Sequence, residues 1–377
     1  MHKQQLLIIP RRSSSLALLA VFTFLFWGGG FGAQLFAAGK VSGCERIALP
    51  QGRLGWTISG SWKDRDTLLI VDALNNEVLR FSKAGRPQGA ISAVTGGDAG
   101  RFLPSVVKTR GDRLFLELAN GRMVTLNQDG TTIGKKSILT DAVRGGQKVE
   151  SMFLWDVTES GSDLVTFSDI QGPPGEWASG FLRIPLKDPA GFQVLHRLPI
   201  TDASRTFYRL GYSYITSLGE TAFVLLMEEG RLGIYKNEKG SPDLVPLKAF
   251  PVGFSSPPSL PRFMRRENFA PVMNATERSS MPTGLYGWEN SLYVLSRVPD
   301  GASSRWSLSK IDPWADQLLW TRILPSRANH LTVVPGPEKW AFVEKGPVLG
   351  LGQQDTERLL FIPASRIRGG IQSDFCD

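Results

Sequence analysis

The chain has 377 residues, 42% hydrophobic and 21% charged, which is enough apolar material for a large core and excludes disorder as its main state. Glycine (40) and proline (24) are abundant enough for many turns and too sparse for a collagen-like or low-complexity polymer. The net charge is +8; Lys3, Arg11 and Arg12 supply three of these before residue 39, which leaves +5 on the remainder, and no run of five like charges gives a nucleic-acid footprint.

Residues 1–38 read as a signal peptide or membrane anchor. Positive residues up to Arg12 are followed by the apolar stretch Leu16–Trp27 and a Gly- and Ala-containing stretch to Ala38. No charge occurs from Ser13 to Gly39, so the run is also long enough to span a bilayer as a helix, about 20 residues being needed. Cleavage after Ala37 or Ala38 puts Leu35 or Phe36 where a small residue is preferred, so cleaved signal and retained anchor both stay open. In either case the positive end stays cytoplasmic and the rest is exported, to the periplasm or the outer face of the inner membrane.

The two cysteines lie near the ends of the exported part, Cys44 and Cys376. An oxidising compartment permits a disulfide between them, which requires neighbouring termini. A rival is that Val41-Ser42-Gly43-Cys44 is a lipobox and Cys44 a lipidated N-terminus; Lys40 and the distance from the apolar stretch count against it. Two unpaired thiols are the third alternative.

From Lys40 onward, short apolar runs alternate with turn signals and no helical period holds over 12 residues, so the fold class is all-β. Residues 67–85 form an apolar run, a turn near Asn75 and Asn76, and a second run with Val78, Leu79 and Phe81. Residues 113–130 repeat this around Asn120-Gly121, a strong hairpin signal, and residues 222–240 repeat it again. Looser versions start at Asp163, Ser291 and Lys339. The leading apolar residues Leu68, Leu114, Leu164, Phe223, Leu292 and Trp340 stand 46, 50, 59, 69 and 48 apart, close to the spacing of four-stranded propeller blades, about 40–50 residues plus loops. Six such units predict a closed six-bladed β-propeller of four-stranded antiparallel blades over 44–377, with residues 44–50 placed to complete the last blade.

Residues 69–85 resemble an NHL-type repeat: Asp72, Asn75, Asn76, Val78, Phe81 and Gly85 match the pattern, with Glu77 where that family usually has Arg. The resemblance implies a six-bladed propeller of the NHL or a related bacterial kind. It transfers no activity, because propellers host lyases, lactonases and non-enzymatic binding modules.

Lactonase-like propellers hold a metal in the central channel, and here Glu150, Asp156 and Asn329 are the candidates, although a solvated loop or turn role is the expectation for each. His196 and His330, the only histidines after export, pair with no nucleophile motif. The segment 130–137 falls short of a phosphate loop in spacing and is expected to be a turn. Trp56, Trp155, Trp288 and Trp340 suit packing between blades, whereas Trp177, in the turn-rich stretch 171–180, is expected to be exposed as a contact residue. The insertion 251–282 holds six prolines, with Arg262, Arg265, Arg266 and Arg278 against Glu267 and Glu277. Such a long connection is usually functional or disordered. As a functional loop it would present Arg262, Arg265, Arg266, Phe263 and Phe269 to a protein or small anionic ligand at one face of the ring, with no cofactor and membrane contact only through the N-terminal segment. The sequence thus favours an exported, non-enzymatic binding or assembly module of the cell envelope. The alternative is a metal-dependent hydrolase or lyase with Ca²⁺ or Zn²⁺ in the channel.

Overall fold

The computed structural model describes residues 38–41, 44–49, 59–72, 77–91, 104–110, 113–118, 122–127, 132–173, 176–199, 214–228, 231–251, 254, 280–300, 303–328, 330–345 and 358–369. The chain divides into a unit Met1–Leu35, outside those residues, and a unit Phe36–Asp377 that holds all of them.

The second unit is six antiparallel sheets. Two N-terminal strands, β1 (Ala38–Val41) and β2 (Cys44–Ala48), come first in the chain. Blade 1 follows: β3 (Gly60–Trp62), β4 (Thr67–Asp72), β5 (Glu77–Ser82) and β6 (Pro87–Ile91). Blade 2 is β7 (Pro104–Arg110), β8 (Arg113–Leu118), β9 (Arg122–Asn127) and β10 (Thr132–Ser137). Helix α1 (Ile138–Asp141) leads to blade 3, in which a two-residue strand, β11 (Val143–Arg144), precedes β12 (Gln147–Val157), β13 (Asp163–Gln171), β14 (Trp177–Pro185) and β15 (Gln193–Pro199). Blade 4 is β16 (Ile215–Leu218), β17 (Thr221–Glu228), β18 (Arg231–Asn237) and β19 (Val245–Pro246). Blade 5 is β20 (Met281–Trp288), β21 (Ser291–Asp300), β22 (Ser303–Asp312) and β23 (Gln317–Ile323). β24 (His330–Val334), β25 (Lys339–Lys345) and β26 (Arg358–Pro363) begin blade 6, followed by α2 (Ala364–Arg368).

Blade 6 is completed from the other end of the chain. β2 pairs with β26, Glu45 opposite Phe361 and Ala48 opposite Arg358, and β1 adds a fifth strand. Cys44–Ala48, within the stretch whose sequence position predicts it, is therefore the strand that closes the ring. Arg46 on β2 fastens it by reaching Glu344 at 3.1 Å and the Pro325 carbonyl at 2.5 Å.

The six leading apolar residues of the sequence repeat all fall at the start of the second strand of a blade, on β4, β8, β13, β17, β21 and β25, and all are buried. In a strand, successive side chains point to opposite faces, and a blade has a neighbour on each. Leu68 and Ile70 accordingly pack into the layer between blades 6 and 1, while Leu69 and Val71 pack between blades 1 and 2. Tyr293 and Leu295 face blade 6, whereas Leu292 and Val294 face blade 4. Trp340 and Phe342 complete the layer between blades 5 and 6, and Ala341 and Val343 the one between 6 and 1. These strands are continuous apolar runs because both of their faces are buried. The layers follow one another around the ring, so the core is distributed between blades, at about 1.5–3 kcal/mol for each fully buried large apolar side chain.

Aromatic rings fill the wedge between blades 5 and 6, where Trp340 lies 4.7 Å from Tyr293 and 5.4 Å from Trp288, ring centre to ring centre. Trp155 is buried between blades 2 and 3, and Trp56 lies outside the described residues. The stretch 130–137, expected as a turn, contains strand β10 instead: its Thr132–Ser137 pairs with β9, with a register shift between Thr132 and Gly134 that passes over Ile133.

Candidate functional site

Antiparallel order gives the ring two unequal faces. Connections from first to second strand, and from third to fourth, leave one face and are short, as at 63–66, 83–86, 158–162, 219–220 and 289–290. Connections from second to third strand, and from blade to blade, leave the other face and include 92–103, 200–213, 247–280 and 346–357. Sites on scaffolds of this kind are built from the loops of one face.

Trp177 stands on the face of the long connections. It is the first residue of β14, opposite Gln171, and 39% exposed. The insertion attaches to the same face: the chain leaves β19, passes Pro251, and re-enters at Met281, so Met281 and Pro282 belong to β20. Phe254 packs edge-on to Phe250 at 5.8 Å. Arg262, Phe263, Arg265, Arg266 and Phe269 lie outside the described residues.

Around the ring axis the inner strands are tied by polar contacts that run from blade to blade. Ser59 and Ser61 of blade 1 bond Val107 and Thr109 of blade 2, at 3.3 and 3.0 Å. Asp156 on β12 of blade 3 bonds blade 2 on one side and blade 4 on the other. It is 1% exposed, so it is a buried strand residue and not the solvated loop or turn residue its sequence suggests. Arg110 of blade 2 donates from one nitrogen lying 2.7 Å from both carboxylate oxygens, and its Nε donates to the Val157 carbonyl at 2.8 Å. From blade 4, the Ser217 N–H donates to Asp156 at 3.0 Å and the Thr216 hydroxyl at 3.4 Å. Thr216 in turn accepts from the Gly287 N–H of blade 5 at 2.8 Å.

Lys108 brings a second cation, 3.9 Å from Asp156. Burial pushes its ammonium below the ordinary lysine value; Asp156 opposes that push and Arg110 adds to it. Two cations thus converge on one carboxylate whose oxygens are already occupied by an arginine and backbone donors. This arrangement holds inner strands together and leaves Asp156 no lone pairs directed at a metal. Glu150 pairs with Lys148 at 3.2 Å, and Asn329 lies outside the described residues. Among the described residues, no three His, Cys, Asp or Glu side chains converge as metal ligands would.

The histidines do not share a site, His196 being on the outermost strand of blade 3 and His330 on the innermost of blade 6. Cys44 is buried at the start of β2, and Cys376 lies outside the described residues. Sequence reasoning missed Lys108 and Arg110, although two cations at alternate positions of an apolar run are a readable sign of a strand with one charged side.

Fold and site define a six-bladed β-propeller with its long connections on one face. No family model matches the chain, and no curated protein matches it. Among solved structures it is similar to a member of the DUF4221 family from Bacteroides vulgatus, at 10% identity over 87% of this chain and 96% of that chain, TM-score 0.53. It is also similar to a putative exported protein from Bacteroides fragilis (12% identity, 87% and 94% coverage, TM-score 0.47) and to a gluconolactonase from Xanthomonas campestris (15%, 85% and 90%, TM-score 0.47). At these identities the likeness is one of fold. No helix among the described residues is long and apolar enough to cross a membrane, and the apolar stretch 16–38 is not among them.

Proposed function

We propose that the protein is an exported, non-enzymatic binding or assembly module of the cell envelope, a rigid ring that meets a protein or small anionic ligand on the face of its long connections. The inequality of the two faces carries this reading, with exposed Trp177 on the richer one. Arg262, Arg265 and Arg266, together with Phe263, Phe269 and Trp177, form the contact set. Residues 1–38 deliver the ring to the periplasm or hold it at the outer face of the inner membrane. Kinship with the NHL propellers is part of the proposal; buried Asp72, Val78 and Phe81, and Gly85 in a left-handed turn, occupy places in the blade consistent with that repeat. So is a Cys44–Cys376 disulfide, supported by the absence of a free thiol at Cys44 and by the chain having one other cysteine. A lipid on Cys44 would have to leave a side chain that is 5% exposed.

The competing reading, a metal-dependent hydrolase or lyase, needs acids free to hold Ca²⁺ or Zn²⁺, and Asp156 is taken by Arg110. The native mass of the protein purified from its producing cells without chelator separates the two. The binding module gives a metal-free chain. One tightly bound divalent ion per chain, with hydrolysis that stops on its removal, would overturn the proposal. The denatured mass with and without reductant reads leader cleavage and the disulfide from the same sample.

A further inference from the structure

Lys108 and Arg110 stand two residues apart on β7, so both side chains leave the same side of an inner strand, and both reach Asp156 of blade 3. Two positive charges therefore share one carboxylate. Asp156 is saturated, because Arg110, the N–H groups of Val157 and Ser217 and the Thr216 hydroxyl already lie on its two oxygens. Among the described residues no second acid is paired with either cation. The cluster keeps an unbalanced positive charge.

Donors are left over as well. The Lys108 ammonium carries three N–H groups, and its 3.9 Å from Asp156 is beyond hydrogen-bond reach; it has no other partner among the described residues. Arg110 uses Nε on the Val157 carbonyl, Nη2 on Asp156 and one N–H of Nη1 on the Thr109 carbonyl at 3.1 Å, so the second N–H of Nη1 is unclaimed among the described residues. The Ser217 hydroxyl, on the residue whose N–H meets Asp156, is buried without a partner among them. Native interiors rarely leave so many polar groups unmet in one place. The cations are also reachable: 22% of the Lys108 side chain and 24% of that of Arg110 are exposed, although protein surrounds the ammonium closely enough to push its pKa down. Cations that are enclosed but not sealed face solvent, and for inner strands of a propeller that solvent lies at the ring axis.

We propose that Lys108, Arg110 and Ser217 bind one small oxyanion, of the size of inorganic phosphate, at the ring axis. An oxyanion accepts from several donors at once and balances the surplus charge, which a neutral ligand cannot do. A cation would meet two like charges there, and the enclosure favours a small anion over a chain. The position is separate from the contact set of the proposed function. Lys108, Arg110 and Ser217 lie toward the ends of first strands, beside the short connections, whereas Trp177 and the attachment of the insertion at β20 are on the other face.

The test is equilibrium dialysis against radiolabelled inorganic phosphate, on protein purified after expression of the full chain, in a non-ionic detergent that shields any retained N-terminal segment. The expected result is one phosphate per chain, bound at least about tenfold more weakly by Lys108→Met, as the loss of one hydrogen bond from a charged group requires. Lys108→Met keeps the apolar stem of the side chain; Lys108→Gln takes its place should it fail to fold. Arg265→Ala/Arg266→Ala, in the insertion, binds phosphate as the parent does. A parent that binds no phosphate overturns the proposal, as does binding that survives the exchange at Lys108. Loss of binding in Arg265→Ala/Arg266→Ala also overturns it and assigns the anion to the insertion.

Discussion

Asp156 shows how much one side chain holds at the axis of this ring. Removing it leaves the Arg110 guanidinium and the N–H groups of Val157 and Ser217 without this acceptor at a buried position. Asp156→Ala is therefore expected to cost about 3 kcal/mol, at the low end for a broken buried pair because Arg110 is partly exposed and can rehydrate; urea unfolding measures it, and a loss below about 1 kcal/mol would contradict the assignment. Glu220, on the opposite face from Trp177, gives a prediction in pH. Burial pushes its carboxyl up, but hydrogen bonds from Ser160 and the Lys239 ammonium outweigh this and set it at about 2 against an ordinary 4.5. A depressed carboxyl contributes stability that is complete above its unfolded value and is lost as pH falls toward its folded one. The stability difference between the parent and Glu220→Gln is expected to be constant above about pH 5 and to shrink toward pH 2. A difference that grows on acidification would reverse the sign and refute the pairing.

At the scale of elements, the turn after β5 links blade 1 to the closing strand. Gly85 has φ +69, and a Cβ there would run into Ile47 of β2 and come within 3.1 Å of Phe361 on β26. Gly85→Ala is expected to cost about 1–2 kcal/mol for the left-handed backbone alone, with more from the displaced Ile47, and to loosen blade 6; a neutral effect on thermal unfolding would show that β2 does not pack there. The second strands were legible from sequence because burial on both faces makes them continuous apolar runs, which periodicity detects even where turn chemistry differs. The inner strands were not. β3 and β16 are three and four residues long, and inner strands carry the polar groups that tie blade to blade, so they read as turns or loops. Asp156 looked solvated for the same reason: its partners Arg110 and Ser217 lie 46 and 61 residues away, and no local pattern announces a contact at that range. Trp177 was legible because the Gly- and Pro-rich stretch around it cannot bury a large ring.

At the largest scale, the unit Phe36–Asp377 is a ring closed on itself, with β1 and β2 inside blade 6. Closure makes the blades depend on one another, so a single cooperative unfolding transition is expected; with the proposed Cys44–Cys376 bond in place, its reduction would lower the midpoint, about 6 kcal/mol being the ceiling from loop entropy. A rigid ring suits a surface that must keep loops from several blades in fixed relation, and the proposed function lies on that surface, on one face alone. Photo-crosslinking in producing cells tests this most directly, with the reactive residue placed at Trp177 on the face of the long connections, at Arg265 of the proposed contact set, and at Lys83 on the other face. Discrete adducts are expected from the first two positions and none from Lys83. Adducts from Lys83 with none from Trp177 or Arg265 would contradict the proposed function.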